Sequence, residues 1–238
     1  MIINRFKAFF PNLVTLLNLF CGSLGVIYAI QGDLVTSAFF VLAGVVFDFF
    51  DGFIARKLDL QSDLGLQLDS LADMITSGLV PGIFMFSLLE MSLNASWPFW
   101  DIIPYFGLLI TLSSAYRLAN FNISIQKNYF TGLPTPANTL LIISFPLVMK
   151  FQGSELWNSI ILCPLFLVTI TLLTSFLLNS KLKLLSLKFE TFDFKQNIEK
   201  YLLLSFSVLL LAFFKWGAIP LVVFSYIILS IVRPPYQA

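Results

Sequence analysis

Asp48-Phe49-Phe50-Asp51-Gly52-Phe53-Ile54-Ala55-Arg56, followed after eight residues by Gly65-Leu66-Gln67-Leu68-Asp69-Ser70-Leu71-Ala72-Asp73, places acidic side chains inside apolar sequence. Positions 48, 51, 52 and 55 stand at i, i+3, i+4 and i+7, so one helix presents them on a single face. Positions 65, 69 and 73 stand at i, i+4 and i+8, again on one face. Two helices joined by a short connection can therefore aim four carboxylates and two glycines into one volume. Six of the thirteen acidic residues of the chain lie between residues 48 and 73.

The sequence around this stretch says where that volume lies. The chain is 58% hydrophobic and only 11% charged, with a mean hydropathy of +0.89. Soluble domains are about 45–50% apolar and about 25% charged, so this reads as an integral membrane protein. No polar stretch is long enough to fold separately, and residues 1–238 form one domain. The expected fold is an all-α polytopic bundle with about eight transmembrane helices, at 11–30, 34–53, 65–89, 102–120, 133–150, 157–178, 200–215 and 217–233. The apolar runs are continuous rather than alternating, which excludes a β-barrel. The basic start at Arg5 and Lys7 resembles a signal peptide, but the run after it is long and lacks a small-residue cleavage site. A retained first span is expected, with Pro11 in its first turn.

Eight spans put both termini on one side, and the basic residues agree. Arg5, Lys7, Arg56, Lys57, Arg117, Lys127, Lys181, Lys183, Lys188, Lys195, Lys200 and Arg233 fall on that side, twelve of the fourteen; Lys150 and Lys215 fall on the other. Both termini, and the acidic cluster, are thereby expected at the cytoplasmic face of the cell membrane. The segment 90–101, with Trp97 and Trp100, fits an outer interface belt. The segment 179–200 interleaves five lysines with Leu and Phe, as expected of a loop on anionic headgroups. A net charge of +1 gives no nucleic-acid footprint. Cys21 and Cys163 sit in apolar runs as small apolar residues, and Gly22 and Gly25 suit close helix packing.

Polar residues recur at two further corners. Asn12, Thr15 and Asn18 line one edge of the first span, where helix capping and interhelical bonding are as good an account as ligand contact. Arg117 near the end of the fourth span is either a snorkelling anchor or an anion-binding group. Asn120, Asn122, Thr131 and Asn138 make its corner more polar than an anchor requires.

Charged groups in membrane helices are costly and point to function. Four clustered carboxylates repel, and without cations some must take up protons. Oxygen ligands alone favour Mg²⁺ or Mn²⁺. Two such ions about 3.5–4 Å apart suit in-line displacement at phosphorus. Gly52 and Gly65 admit a phosphate or nucleotide close to the backbone, and Arg56 offers a phosphate ligand. The chain has no histidine, which removes His-based acid–base chemistry and leaves a carboxylate as general base. Asp73, the deepest of the four, is the candidate.

The spacing Asp48-x2-Asp51-Gly52-x2-Ala55-Arg56-x8-Gly65-x3-Asp69-x3-Asp73 resembles the signature of the CDP-alcohol phosphatidyltransferase family. The stretches 11–22, 117–122 and 132–137 resemble its phosphatidylserine synthase branch, and Asn18 stands where many relatives with other substrates carry Arg. The resemblance implies CDP-diacylglycerol as donor and L-serine as acceptor, with phosphatidylserine and CMP as products. It further implies metal binding by Asp48, Asp51, Asp69 and Asp73, with Asp73 also acting as base. Donor binding would fall to Gly52, Ala55, Arg56, Gly65, Asn12 and Thr15, and a homodimer is expected. Arg117, with Asn120 and Asn122, is the expected acceptor contact. Two other readings stand beside this one. The first keeps the chemistry but uses glycerol 3-phosphate or an inositol phosphate as acceptor. The second is a divalent-cation transporter, which requires polar groups continuing across the bilayer.

Overall fold

The computed structural model describes residues 2–58, 60, 62–93, 100–123, 130–184 and 198–232. Trp97, Lys127, Lys188, Lys195 and Arg233 lie outside them, as does most of the basic 179–200 segment.

Helices account for nearly all of the described chain. They are α1 (Ile2–Ile30), α2 (Leu34–Lys57), α3 (Asp63–Asp73), α4 (Val80–Ser92), α5 (Leu109–Ile123), α6 (Thr135–Phe151), α7 (Glu155–Ile161), α8 (Pro164–Leu178), α9 (Ile198–Phe214) and α10 (Ala218–Val232). A two-residue antiparallel bridge pairs β1 (Phe130–Thr131) with β2 (Lys183–Leu184). Four stretches are long and apolar enough to cross a bilayer: Phe10–Ile30, Leu34–Lys57, Asp63–Ser92 and Tyr201–Ser230. The α7–α8 pair makes a fifth, bent by 58°, and α6 is a shorter apolar helix.

Where the helices depart from the expected spans, a local cause is visible. Pro11 falls inside α1 rather than opening it, because the basic segment before it continues the helix. The segment 157–178 is broken at Leu162 and Cys163. Pro164 has no N–H to donate and forces Cys163 into an extended conformation at φ −75°, ψ 115°. The fourth span opens as a 3₁₀ turn at Ile103–Leu108, which contains Pro104. Lys215 takes φ 46° in the 3₁₀ turn Lys215–Gly217, and α9 and α10 pack against each other across it. Gln152 ties that turn to α6: its Nε2 donates to Phe214 O at 2.8 Å and its Oε1 accepts from Gly217 N at 2.6 Å.

The core lies where α4 and α6 meet their neighbours. Phe84, Met85, Leu88 and Leu89 of α4 and Leu141, Ile142, Ile143 and Leu147 of α6 are fully buried. Leu167 and Ile170 of α8 join them. A helix apolar on all sides belongs in such an interior. Around the outside, α2, α8 and α9 expose Phe49, Phe50, Phe176, Leu202, Val208 and Phe213, as surfaces facing hydrocarbon do. Cys21 is buried and Cys163 is partly so.

α3 and α4 are one helix interrupted by a π-helical turn, Met74–Leu79, in which Val80 N donates to Ile75 O. This turn begins directly after Asp73, and three hydroxyl contacts hold it. Thr76 Oγ1 donates to Asn18 O at 3.2 Å, Thr139 Oγ1 to Ser77 O at 3.0 Å, and Thr111 Oγ1 to Gly78 O at 3.1 Å. Two glycines make room for it. A Cβ at Gly22 would collide with Thr76 Oγ1, and a Cβ at Gly44 would lie 2.8 Å from Thr76 Cγ2 and 2.9 Å from Asn18 Oδ1.

Candidate active site

α1 carries the site. Both α2 and α3 pack on it, which brings the last turns of α2 and the whole of α3 to its flank. The helical spacing then does what the sequence predicts: Asp48, Asp51 and Asp69 each offer a carboxylate oxygen, and these oxygens lie within 4.8 Å of one another. Asp51 is buried, while Asp48 and Asp69 are partly covered. Asp73, one turn beyond Asp69, lies beside Asp48 and Asp69. Its Oδ1 is buried without a hydrogen-bond partner among the described residues. The Asn18 amide lies beside it, yet neither polar atom of Asn18 completes a hydrogen bond of normal geometry.

The flanking groups come from three helices. Thr15 Oγ1 makes a short hydrogen bond to Asp51 Oδ2 and also contacts Pro11 O at 3.1 Å. That bond engages one oxygen of Asp51. Ser62 caps α3, its Oγ accepting from Gly65 N at 3.0 Å. Asn12 Oδ1 and Ser62 Oγ would each lie 3.2 Å from a Cβ at Gly65, so Asn12 of α1 borders the start of α3. The Arg56 guanidinium folds back over Gly52, with Nη1 3.3 Å from where a Cβ would stand. It also lies within electrostatic range of Asp51 and Asp69. Ala55 is partly buried on the same helix.

The set of donors fits a hard divalent cation. Three carboxylates converge from two helices, a fourth carries an orphaned oxygen beside them, and among the described residues neither cysteine nor histidine joins the group. Near Arg117 the residues diverge. Arg117 is buried, Asn120 is exposed, and Asn122 Oδ1 accepts from Ser70 Oγ at 3.0 Å. Ser114 is a buried polar residue one turn from Arg117 on α5, and Tyr226 is buried within electrostatic range of the Arg117 guanidinium. Neither belongs to a spaced motif: Ser114 stands beside Ser113 and Tyr226 beside Ser225, in otherwise apolar runs.

The family model described as CDP-alcohol phosphatidyltransferase matches residues 8–189. The chain belongs to this family. It is therefore a phosphotransferase, and the aspartate cluster is made entirely of residues inside the matched region. The chain is 33% identical over 144 residues to the CDP-diacylglycerol–serine O-phosphatidyltransferase of Bacillus subtilis, covering 58% of this chain and 76% of that one. It is 32% identical over 137 residues to the Helicobacter pylori protein of the same name, covering 56% and 55%. It is 36% identical over 140 residues to the archaetidylserine synthase of Methanothermobacter thermautotrophicus, covering 57% and 56%. The match thus spans little more than half the length of the latter two relatives.

Proposed function

We propose that the chain transfers the phosphatidyl group of CDP-diacylglycerol to the hydroxyl of L-serine, giving phosphatidylserine and CMP. The observation that carries this reading is the convergence of Asp48, Asp51 and Asp69, with Asp73 beside them, in a chain of this family. Serine stands in the names of the bacterial relatives and, as archaetidylserine, of the archaeal one; this supports it as acceptor.

Asp48, Asp51, Asp69 and Asp73 would hold divalent metal, Mg²⁺ or Mn²⁺ and two ions by the count of carboxylates. Bound there, the metal supplies Lewis-acid stabilisation of charge on the diphosphate. Thr15 keeps Asp51 oriented for that task. Arg56 and the open backbone at Gly52 and Gly65, with Ala55 and Asn12 alongside, bind the cytidine diphosphate portion. Asp73 takes the proton of the serine hydroxyl as its oxygen attacks the phosphorus that carries diacylglycerol. The bond from that phosphorus to the bridging oxygen breaks, and CMP leaves with the electron pair. Arg117 serves the acceptor side, with Asn120 and Asn122 on the same helix.

This chemistry belongs at a membrane surface, where a lipid donor meets a soluble alcohol. We read the bundle as eight spans in the cell membrane, with α9 and α10 crossing separately, both termini and the site cytoplasmic, and two copies forming a homodimer. The distribution of Lys and Arg supports that orientation.

The test is an acceptor panel. Purified protein supplied with CDP-diacylglycerol and Mn²⁺ or Mg²⁺ should release CMP when L-serine is added. Glycerol 3-phosphate and inositol phosphate should not substitute. CMP release that depends on a phosphorylated acceptor and ignores serine rejects the serine reading. Metal flux into proteoliposomes with no nucleotide requirement rejects the transferase reading itself.

A further inference from the structure

A second set of buried polar groups lies against the π-helical turn, beyond the carboxylates. Two contacts fix how α3 and its continuation run along α5. Ser70 Oγ donates to Asn122 Oδ1 at 3.0 Å, and further along a Cβ at Gly78 would lie 3.3 Å from Ser114 Cβ. The order is reversed, so the helices are antiparallel, and Arg117 falls between these contacts at the level of the turn that follows Asp73. Arg117 is 9% exposed, and its Nε has no hydrogen-bond partner among the described residues. Ser114, one turn away on the same face, is fully buried with an unpartnered Oγ.

Two other helices reach the same place. Thr139 of α6 bonds Ser77 O, which brings the preceding residue, Asn138, to this turn. Asn138 is fully buried, and neither its Oδ1 nor its Nδ2 has a hydrogen-bond partner among the described residues. α10 packs on α6 and contributes Tyr226, which is buried and lies within electrostatic range of the Arg117 guanidinium.

Polar atoms buried without partners are costly, and a buried charge more so. Several of them gathered at one turn next to a catalytic cluster describe a site whose hydrogen bonds a ligand completes. The chemistry of the groups says which ligand. A guanidinium fork matches a carboxylate. An amide oxygen and a hydroxyl oxygen are acceptors suited to an ammonium group. A single guanidinium balances one carboxylate charge, whereas a phosphorylated alcohol brings close to two.

We propose that Arg117 and Tyr226 hold the carboxylate of an α-amino-acid acceptor, while Asn138 and Ser114 receive its ammonium group. This rests on the serine reading above and changes its residues: Asn122 is already engaged by Ser70 and Asn120 faces outward. It also adds α10 to the site. The family match ends at residue 189, so part of the acceptor's recognition is written outside it. With both ends of the amino acid held, its hydroxyl is left for Asp73.

The experiment compares the full wild-type chain with Tyr226→Phe and Asn138→Ala in lipid nanodiscs, with CDP-diacylglycerol as donor. Serine and ethanolamine, which is serine without its carboxylate, are the acceptors. Tyr226→Phe should raise the KM for serine about tenfold, the value of one hydrogen bond to a charged group. The KM for CDP-diacylglycerol should hold, and the preference for serine over ethanolamine should fall by the same factor. Asn138→Ala should raise the KM for both acceptors, since both carry the ammonium group. General damage to the bundle would not separate the two acceptors in this way. Wild-type activity with serine, combined with an unchanged serine KM and unchanged preference in both variants, overturns the proposed site and leaves the serine reading standing. A wild-type enzyme that ignores serine overturns the reading and the site together.

Discussion

In the proposed reaction, Asp73 and Thr15 each carry a separate part of the chemistry. Asp73 lies beside Asp48 and Asp69 but keeps a buried oxygen without a partner, as a base awaiting a proton would. Asp73→Asn keeps the shape and removes the basicity. Turnover should fall by about 10²–10⁴-fold, while CDP-diacylglycerol binding, followed by its protection against thermal unfolding, is largely retained. Near-normal turnover in that variant would remove Asp73 from the role. Thr15, grouped with the donor-binding residues by the resemblance, engages Asp51 through its hydroxyl. Thr15→Val should raise the Mn²⁺ concentration needed for half-maximal activity by roughly 10–100-fold, as loss of a bond to a metal ligand does. Turnover at saturating Mn²⁺ should recover. Failure of added metal to restore it would mean that the bond serves packing alone.

At the scale of elements, the π-helical turn Met74–Leu79 sets the end of α3 against the rest of the bundle. Hydroxyls of Thr111 and Thr139 and the carbonyl of Asn18 grip it, and Gly22 and Gly44 let α1 and α2 close around it. Gly44→Ala forces a methyl group against Thr76 and Asn18. It should cost about 1–3 kcal/mol of stability, read as a lower midpoint of thermal unfolding in detergent, with activity falling alongside because Asn18 and Asp73 are displaced. An unchanged midpoint would show that the helices have slack there. This element was not legible in the sequence. Met74-Ile75-Thr76-Ser77-Gly78-Leu79 reads as an ordinary apolar helix, and only the packing of four other helices reveals the widened turn. The break before α8 was legible in principle, since Pro164 stands inside the apolar run. The convergence of Asp48, Asp51 and Asp69 was legible, because helical periodicity puts 48 and 51 on one face of α2 and 69 on the matching face of α3, and the short connection between the helices brings those faces together. Tyr226 was not, because its importance depends on α10 folding back beside α6, a contact between distant parts of the chain.

Over the whole molecule, the proposed orientation puts the acidic cluster at the cytoplasmic face and the turn at Lys215 on the opposite one. The cysteines Cys21 and Cys163 can be replaced by Ser to give a background for labelling. In that background, Lys215→Cys in intact cells should react with a membrane-impermeant maleimide. Lys57→Cys, next to the cluster, should react only after the membrane is opened. The reverse pattern, or equal labelling of both, would contradict the orientation. In the proposed reaction the hydroxyl oxygen of serine displaces CMP from the phosphorus bearing diacylglycerol. Serine labelled with ¹⁸O in its hydroxyl tests this directly by mass spectrometry of the products. The label should appear in the phosphodiester of phosphatidylserine, with CMP unlabelled. Formation of a CMP–serine adduct with release of phosphatidic acid, or no serine-dependent product, would contradict it.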